Sequence, residues 1–312
     1  MVNLRLENKQ KDKFKEFLLK KSKEDSFKFE LSNGTFEDFN FFQKENSKID
    51  ISPLISCSEN FYEDILKINN VEENIIELEK DATLSVGGFS ILYIIIKEDI
   101  KLNLEYFNSN SSLFIKILVK ENKKLILFEN QKANDSYLFT NIYLEKNSLV
   151  NHGKILNNSL ISHSQAKVKK NAKYNLVCSY YLNEISSYMQ NSAILLEEDS
   201  QASIIVNGGV TNNSNLINDG VISINQKAPN SSGHQKLNNL ILDNTSKIIS
   251  EPILEIDNNN VSCSHGCTIA QISEEIDFYC NTRGLNKKEA INLFLEGFNL
   301  LVYEHIEKSK LE

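Results

Sequence analysis

The sequence predicts a mainly β protein with a helical segment at each end. Apolar runs rich in Ile, Leu, Val, Phe and Tyr follow one another from Val71 to about residue 260. Polar residues separate them about every 8 to 12 positions, and no convincing helical pattern interrupts them. We therefore predict an N-terminal helical or irregular segment over 1–70, a β core over 71–266 and a C-terminal helical domain over 267–312.

The N-terminal segment shows a helical pattern over its first 30 residues. Leu4, Phe14, Leu18 and other apolar residues are set among Lys and Glu at spacings compatible with one apolar face. From Leu31 to Leu54 the pattern breaks, and loops and turns are predicted there. A further short helix is predicted over Asn60–Asn69.

The β core is predicted as a series of short strands. The predicted strands are Asn74–Leu78, Ala82–Val86, Phe89–Ile96, Ile100–Tyr106, Ser112–Val119, Lys124–Phe128, Ser136–Leu144, Lys154–Leu156, Lys173–Tyr181, Ser192–Leu196, Ala202–Val206, Leu216–Ile217, Val221–Ile224, Lys247–Ile249 and Ile253–Ile256.

Two architectures fit this series. An antiparallel sandwich needs hairpin turns, and Asn207-Gly208-Gly209 and Asp219-Gly220 are the clearest candidates. A solenoid needs brief apolar runs with small or Asn-rich corners, which the stretch Ala202–Ile224 provides. No repeat period can be extracted, so the pattern favours the solenoid only modestly. Gly87-Gly88 and Gly208-Gly209 are interpreted as turns.

Two amphipathic helices are predicted after the β core. The first covers Gln271–Cys280, with Thr268 and Gln271 as a capping box and Arg283-Gly284 as its end. The second begins at Asn286, with Glu289 completing another capping box. Its apolar stripe is expected to pack against the core or a partner, and consists of Ile291, Phe294, Leu295, Phe298 and Val302.

Composition narrows the class of protein. With 34 basic and 42 acidic residues the formal charge is -8, which disfavours a nucleic-acid partner. The first residues lack the apolar region of a secretory signal, and the apolar run Ile91–Ile96 is too short to span a bilayer. Five cysteines without such a signal fit a reducing compartment. A soluble, intracellular protein with no membrane partner is expected.

The segment Cys263-Ser264-His265-Gly266-Cys267 concentrates potential metal ligands at the end of the β core. If it is extended, Cys263, His265 and Cys267 share one face, with neighbours about 6.6 Å apart. The alternatives are a structural zinc site with Cys280, a nucleophile site, soft ligands for iron and sulfur, and a packed Cys/His strand. Phosphate-binding loops and hydrolase motifs are absent from the sequence, so no catalytic residue is assigned.

Other candidate residues are interpreted as structural. His152, His163, His234 and His305 are isolated and are expected to be surface or hydrogen-bonded residues. Cys57 and Cys178 are expected to be core side chains.

The C-terminal third resembles the SufB/SufD family, which serves the SUF iron–sulfur cluster assembly machinery. The resemblance rests on Cys263–Thr268, Gln271–Glu275, Arg283-Gly284-Leu285 and Glu296-Gly297-Phe298. It extends upstream to Gly233-His234-Gln235-Lys236 with Asn238–Leu242, and to Glu251–Ile256. The Cys-Ser-His-Gly form is closer to SufD than to SufB.

This resemblance implies a right-handed parallel β-helix core and a non-catalytic scaffold function in the cytoplasm, or in the plastid stroma of a plastid-bearing organism. It implies a hetero-oligomer with a SufB-like protein and with a SufC-like ATPase, which would bind the C-terminal helices at Ile291, Phe294, Leu295 and Phe298. A transient iron–sulfur cluster would be shared with the SufB-like partner through His265 and Cys263. Cys267 stands where the family usually has Ala, either as an extra ligand or, as we favour, as a small-residue exchange.

Two other functions remain open from the sequence. A SufB-like homodimeric scaffold would bind a cluster without a different partner. A β-solenoid protein acting on carbohydrate would need paired carboxylates on one face. Between residues 130 and 260 only Glu197-Glu198-Asp199 stands out, and it is interpreted as a solvated turn.

Overall fold

The computed structural model describes residues 30–32, 35–37, 75–86, 89–106, 112–131, 136–272 and 279–309. The predicted N-terminal helices over 1–30 and 60–69, Cys57 and Gly87-Gly88 lie outside these ranges, apart from Glu30, which begins a strand. The elements are β1 Glu30–Ser32, β2 Thr35–Glu37, β3 Ile75–Leu78, β4 Ala82–Val86, β5 Phe89–Ile96, β6 Ile100–Tyr106, β7 Ser112–Val119, β8 Lys124–Gln131, β9 Ser136–Leu144, β10 Leu149–Asn157, β11 Ser159–Val168, β12 Lys173–Asn183, β13 Ser186–Leu195, β14 Gln201–Thr211, β15 Asn215–Ile224, β16 Ser232–Ile241, β17 Lys247–Ile256, β18 Ser262–Gln271 and helix α1 Lys287–Lys308.

Strands β3 to β18 form a parallel β-solenoid of two eight-stranded sheets. The even-numbered strands β4 to β18 make one sheet, and the odd-numbered strands β3 to β17 make the other. Each strand pairs in parallel with the strand two positions further along the chain, so that every coil adds one strand to each sheet. The solenoid prediction is therefore confirmed, and the antiparallel sandwich is wrong. The short pair β1 and β2 is antiparallel.

The length of a coil changes along the solenoid. Residues stacked at the corners or in the sheets are 20 apart at Asp81 and Lys101, 24 apart at Asn151 and Asn175, and 31 apart at Ser200 and Ser231. This variation explains why no repeat period can be read from the sequence.

Asparagine residues stack at the corners of successive coils. Asn122, Asn147 and Asn171 all have positive φ, a conformation that Asn tolerates better than most residues. The Asn147 amide donates to Asn122 Oδ1 at 2.8 Å, and the Asn171 amide donates to Asn147 Oδ1 at 3.1 Å. The ladder satisfies polar groups where the chain turns.

Gly208-Gly209 and Asp219-Gly220, which were predicted as turns, lie inside strands. Gly208 and Gly209 belong to β14 and Gly220 belongs to β15, so the turn interpretation is wrong. A Cβ at Gly208 would meet the Tyr180 ring at 2.4 Å, and a Cβ at Gly220 would meet Gln235 Oε1 at the same distance. Gly208 leaves space for the Tyr180 side chain of the paired strand β12, and Gly220 leaves space for Gln235 of β16 in the opposite sheet.

Several strands of the structure are longer than predicted, and others were not predicted. The two predicted segments over 215–224 and the two over 247–256 are the single strands β15 and β17. Strands β11 and β16 were not predicted, because polar residues interrupt the apolar pattern in both. By contrast, the predicted bounds of β4 to β7 and of β9 agree with the structure.

The C-terminal helical region begins later in the chain than predicted. Strand β18 runs to Gln271, so Thr268 and Gln271 are strand residues and their predicted capping box is wrong. Of the first predicted helix, Gln271–Cys280, the described residues 279 and 280 are helical, and this helix continues to residue 282. Gly284 has φ +80°, as expected for a glycine that ends a helix. Helix α1 has the predicted capping box between Asn286 and Glu289. The described helical residues include no segment long and apolar enough to cross a membrane.

Helix α1 packs on the outer face of the even-strand sheet. Val302 is fully buried against Ile155 and Val177, and Asn299 Oδ1 accepts a hydrogen bond from Ser179 Oγ at 2.6 Å. Gly153 makes room for the helix, because a Cβ there would meet Ile306 Cγ1 at 2.6 Å.

Candidate functional site

Strand β18 carries the predicted Cys/His cluster at the edge of the solenoid. It pairs with β16 on one side only and ends the even-strand sheet. Cys263, His265 and Cys267 are in register with Gly233, Gln235 and Leu237, which places all three on one face of the extended strand. This is the side that faces the odd-strand sheet, because Leu237 belongs to the buried core between the sheets.

The three side chains differ in their exposure. Cys263 is half-buried and packs against the core, and burial raises the pKa of its thiol although the Gly233 backbone lowers it in part. His265 and Cys267 are exposed. At the usual rise of about 3.3 Å per residue, His265 stands about 6.6 Å from each cysteine and the two cysteines stand about 13 Å apart. One metal ion can therefore bind only one of the two thiols together with His265.

Asn239 of β16 contacts Cys267. Its Nδ2 lies 3.9 Å from Cys267 Sγ and donates to the Thr268 carbonyl at 3.2 Å. The Cys267 thiol also lies 3.7 Å from the carbonyl oxygen of Ser250, in the opposite sheet. Cys267 therefore contacts residues of both sheets at the end of the solenoid that β17 and β18 form, which is called the open end below.

A buried network fixes the amide of Asn239. Its Oδ1 accepts from Tyr180 OH at 2.7 Å and from Asn218 Nδ2 at 3.0 Å. Tyr180 reaches Asn239 by passing over Gly208. Because both donors bind the oxygen, the amide nitrogen must point toward Cys267 and Thr268.

The opposite face of β18 carries a separate hydrogen bond. His234 Nδ1 and Ser264 Oγ are 2.8 Å apart on the exposed side of the sheet. His234 is thus a hydrogen-bonded surface residue, as predicted. Within the described ranges, no three His, Cys, Asp or Glu side chains lie close enough together to hold one metal ion.

A buried ionic cluster, which the sequence did not reveal, lies inside the solenoid. Glu129 Oε2 lies 3.1 Å from Lys154 Nζ, and Glu129 Oε1 lies 3.4 Å from His152 Nε2. Lys154 also donates to Ser164 Oγ at 2.7 Å, and His152 Nδ1 lies 3.0 Å from Tyr174 OH. His152 is buried and hydrogen-bonded, not on the surface.

The cluster holds one buried negative and one buried positive charge. Burial alone would raise the pKa of Glu129, but the charge of Lys154 and a hydrogen bond from His152 hold it well below its usual range. Burial lowers the pKa of His152 despite the nearby carboxylate. Burial and the charge of Lys154 lower the pKa of His163 to about 4. Both histidines are therefore neutral at pH 7. Cys178 is a core side chain, as predicted, and burial raises its pKa to about 12.

The fold also brings together two carboxylates that the sequence did not identify as a pair. Asp219 and Glu251 are in register on neighbouring strands although they are far apart in the chain. Burial, and then the charge of Glu251, raise the pKa of Asp219 to about 7. Tyr188 OH donates to Asp219 Oδ2 at 3.3 Å. Asp219 is fully buried and only Glu251 is partly exposed, so the two carboxylates are not both accessible to a glycan. At the predicted turn 197–199, Asp199 has positive φ and Glu198 pairs with Lys170.

Comparison with known proteins identifies the segment that contains this edge. Residues 189–298 match the family model of the SUF system FeS cluster assembly, SufBD core domain. The chain is 32% identical over 89 residues to the iron-sulfur cluster assembly protein SufD of Escherichia coli, which is 28% of this chain and 21% of the relative. It is 33% identical over 93 residues, 30% of this chain and 20% of the relative, to a SufBD family protein of Synechocystis. It is also 33% identical over 79 residues, 25% of this chain and 17% of the relative, to the iron-sulfur cluster assembly protein SufB of Bacillus subtilis.

These matches confirm the resemblance to the SufB/SufD family over the last coils of the solenoid and the first half of helix α1. The chain spans about a fifth of the length of the curated relatives that it matches.

Proposed function

We propose that this chain, whose residues 189–298 carry a SufBD core domain, is a SufD-like scaffold subunit in iron–sulfur cluster assembly. It pairs with a SufB-like protein through the open end of its solenoid and binds a SufC-like ATPase through its C-terminal helical region. It is itself non-catalytic and cytoplasmic, and it shares a transient cluster with the SufB-like partner. The observation that carries the proposal is the position of Cys263, His265 and Cys267, called the Cys/His face below, on the last strand of the matched domain.

The edge strands support pairing with another chain. β17 and β18 each end a sheet, and their outer edges have no neighbouring strand among the described residues. An unpaired edge offers backbone donors and acceptors to a strand of a partner. Ile256 and Ile269 are 44% and 46% exposed at this end, although a solenoid normally covers its apolar end.

The side chains on β18 support handling of iron and sulfide. Thiolate and imidazole are ligands that iron–sulfur chemistry uses. His265 is exposed and lies beside both cysteines, so it can complete a site whose remaining ligands come from a partner. His265 and Cys263 remain the pair that the family resemblance implies.

Helix α1 supports binding of a further protein. The predicted contact residues Ile291, Phe294, Leu295 and Phe298 are all half-buried, which leaves part of each accessible. Leu293, Leu300 and Leu301 on the same helix are 57%, 55% and 46% exposed. Exposed leucines at helical spacing are typical of a surface that another protein covers.

Co-expression of this chain with SufB-like and SufC-like proteins from the same genome tests the proposal. The tagged chain is expected to purify with both, in one complex by size-exclusion chromatography. A Leu293→Glu/Leu300→Glu variant should lose the ATPase and keep the SufB-like protein. A stable monomer that binds neither protein would refute the proposal, and a homodimer that loads a cluster alone would favour the SufB-like alternative.

A further inference from the structure

The two thiols on the Cys/His face have different surroundings. Cys263 packs against the hydrophobic core and is half-buried, as expected for a small apolar side chain. Cys267 is exposed, and a buried amide is directed at its sulfur. Since one ion can bind only one thiol together with His265, the surroundings decide which thiol that is.

The network behind Cys267 is built from residues far apart in the chain. Tyr180 and Asn239 are 59 residues apart, and Asn218 and Asn239 are 21 apart. Asn239 is only 3% exposed, so bulk water does not compete for the hydrogen bonds that orient its amide. Its amide can donate to a thiolate, and hydrogen bonds to a metal-bound sulfur tune both the position and the charge of that ligand.

We propose that Cys267, together with His265, is the thiol ligand that this chain offers to a soft divalent metal ion such as Fe(II), and that Asn239 is its positioning residue. This inference rests on the proposed function and changes its residue assignment. Cys263 then has a packing role. The remaining coordination positions belong to water, sulfide or a partner's groups.

Anaerobic titration of the full chain with Co(II) tests the inference, because thiolate ligation to Co(II) produces a charge-transfer absorption band. The wild type is expected to show a band equivalent to one thiolate. Cys267→Ser and His265→Ala should abolish or strongly weaken it, whereas Cys263→Ser should retain it. Cys178→Ala, at a buried thiol away from the edge, is the matched control and should leave the band unchanged.

Asn239→Ala tests the positioning role. The expected result is a Kd for Co(II) about 10- to 100-fold higher with unchanged stoichiometry, the usual range for loss of a residue that orients a ligand. A purely structural role would lower the melting temperature without changing the Kd of the folded protein. If Asn239→Ala does not fold, Tyr180→Phe removes only one donor to Asn239 and should raise the Kd by a smaller factor.

Three results would overturn the inference: a band that depends on Cys263 but not on Cys267, a Kd unchanged in both network variants, or no thiolate band in the chain and in its complex. Co-purification with the partners is scored separately. A complex that forms normally while the band depends on Cys263 would refute this inference and leave the proposed function standing.

Discussion

Replacing Glu129 with Gln removes the negative charge of the buried ionic cluster without changing its shape. The Glu129 carboxylate lies 3.1 Å from Lys154 Nζ, and both side chains are at most 1% exposed. Breaking a buried pair by removing one partner leaves an uncompensated charge, which costs about 3–5 kcal/mol. We expect Glu129→Gln to lower the free energy of unfolding by that amount, and Lys154→Met to have a similar effect.

The double variant tests whether Glu129 and Lys154 stabilise the protein by interacting with each other. With both charges removed no buried charge is left unpaired, so Glu129→Gln/Lys154→Met should be less destabilised than either single variant. Urea unfolding at pH 7, followed by far-ultraviolet circular dichroism, measures all three. Glu304→Gln, which removes the exposed pair with Lys308, is the control and should cost less than about 1 kcal/mol.

Two results would refute this reasoning. Single variants that lose less than about 1 kcal/mol would mean that the pair is solvated or that its charges are neutralised in the folded protein. A double variant that loses the sum of the single effects would mean that Glu129 and Lys154 do not interact.

Three further predictions concern other parts of the chain. The pKa of Asp219 is raised to about 7 in the folded protein, against about 3.9 when unfolded, so its contribution to stability falls as pH rises from 4 to 7. Asp219→Asn should therefore stabilise the protein at pH 8 and change it little at pH 4, measured by thermal unfolding at both values. Asn286→Ala removes the N-cap bond to the Glu289 amide at 3.0 Å and should cost about 1 kcal/mol, with hydrogen exchange rising first in α1. Gly208→Ala places a Cβ 2.4 Å from an aromatic ring and should cost about 1–3 kcal/mol by urea unfolding, whereas Gly266→Ala, with open space around it, should cost less than 1.

The sequence predicts strands well where apolar residues form a continuous run or alternate regularly with polar ones. The bounds of Phe89–Ile96 and Ile100–Tyr106 agree with the structure because these strands are almost continuous apolar or alternating runs. Strand β11 was missed because His163, Ser164 and Gln165 occupy its centre. Their polar groups find partners on other strands, such as Lys154 of β10 for Ser164 and Ser192 of β13 for Gln165.

The candidate site could be predicted only in part for the same reason. The alternation of a strand places Cys263, His265 and Cys267 on one face, and this needs only local sequence. The direction of the Asn239 amide depends on Tyr180, which is 59 residues away and two coils back. The glycine that lets Tyr180 pass looks like a turn residue in the sequence. Strand pairing between coils of different length therefore determines which thiol the Asn239 amide contacts, and the local sequence pattern does not.

Anaerobic loading of iron and sulfide is the most direct test of the scaffold function. The chain is mixed with its SufB-like and SufC-like partners, with an iron and a sulfide source, and bound iron and acid-labile sulfide are measured for the wild type and for His265→Ala. The proposed function predicts substantial loading of the wild-type complex, little loading of the chain alone, and a clear loss in His265→Ala although the complex still forms. Equal iron and sulfide in the two complexes would contradict the function proposed for the Cys/His face.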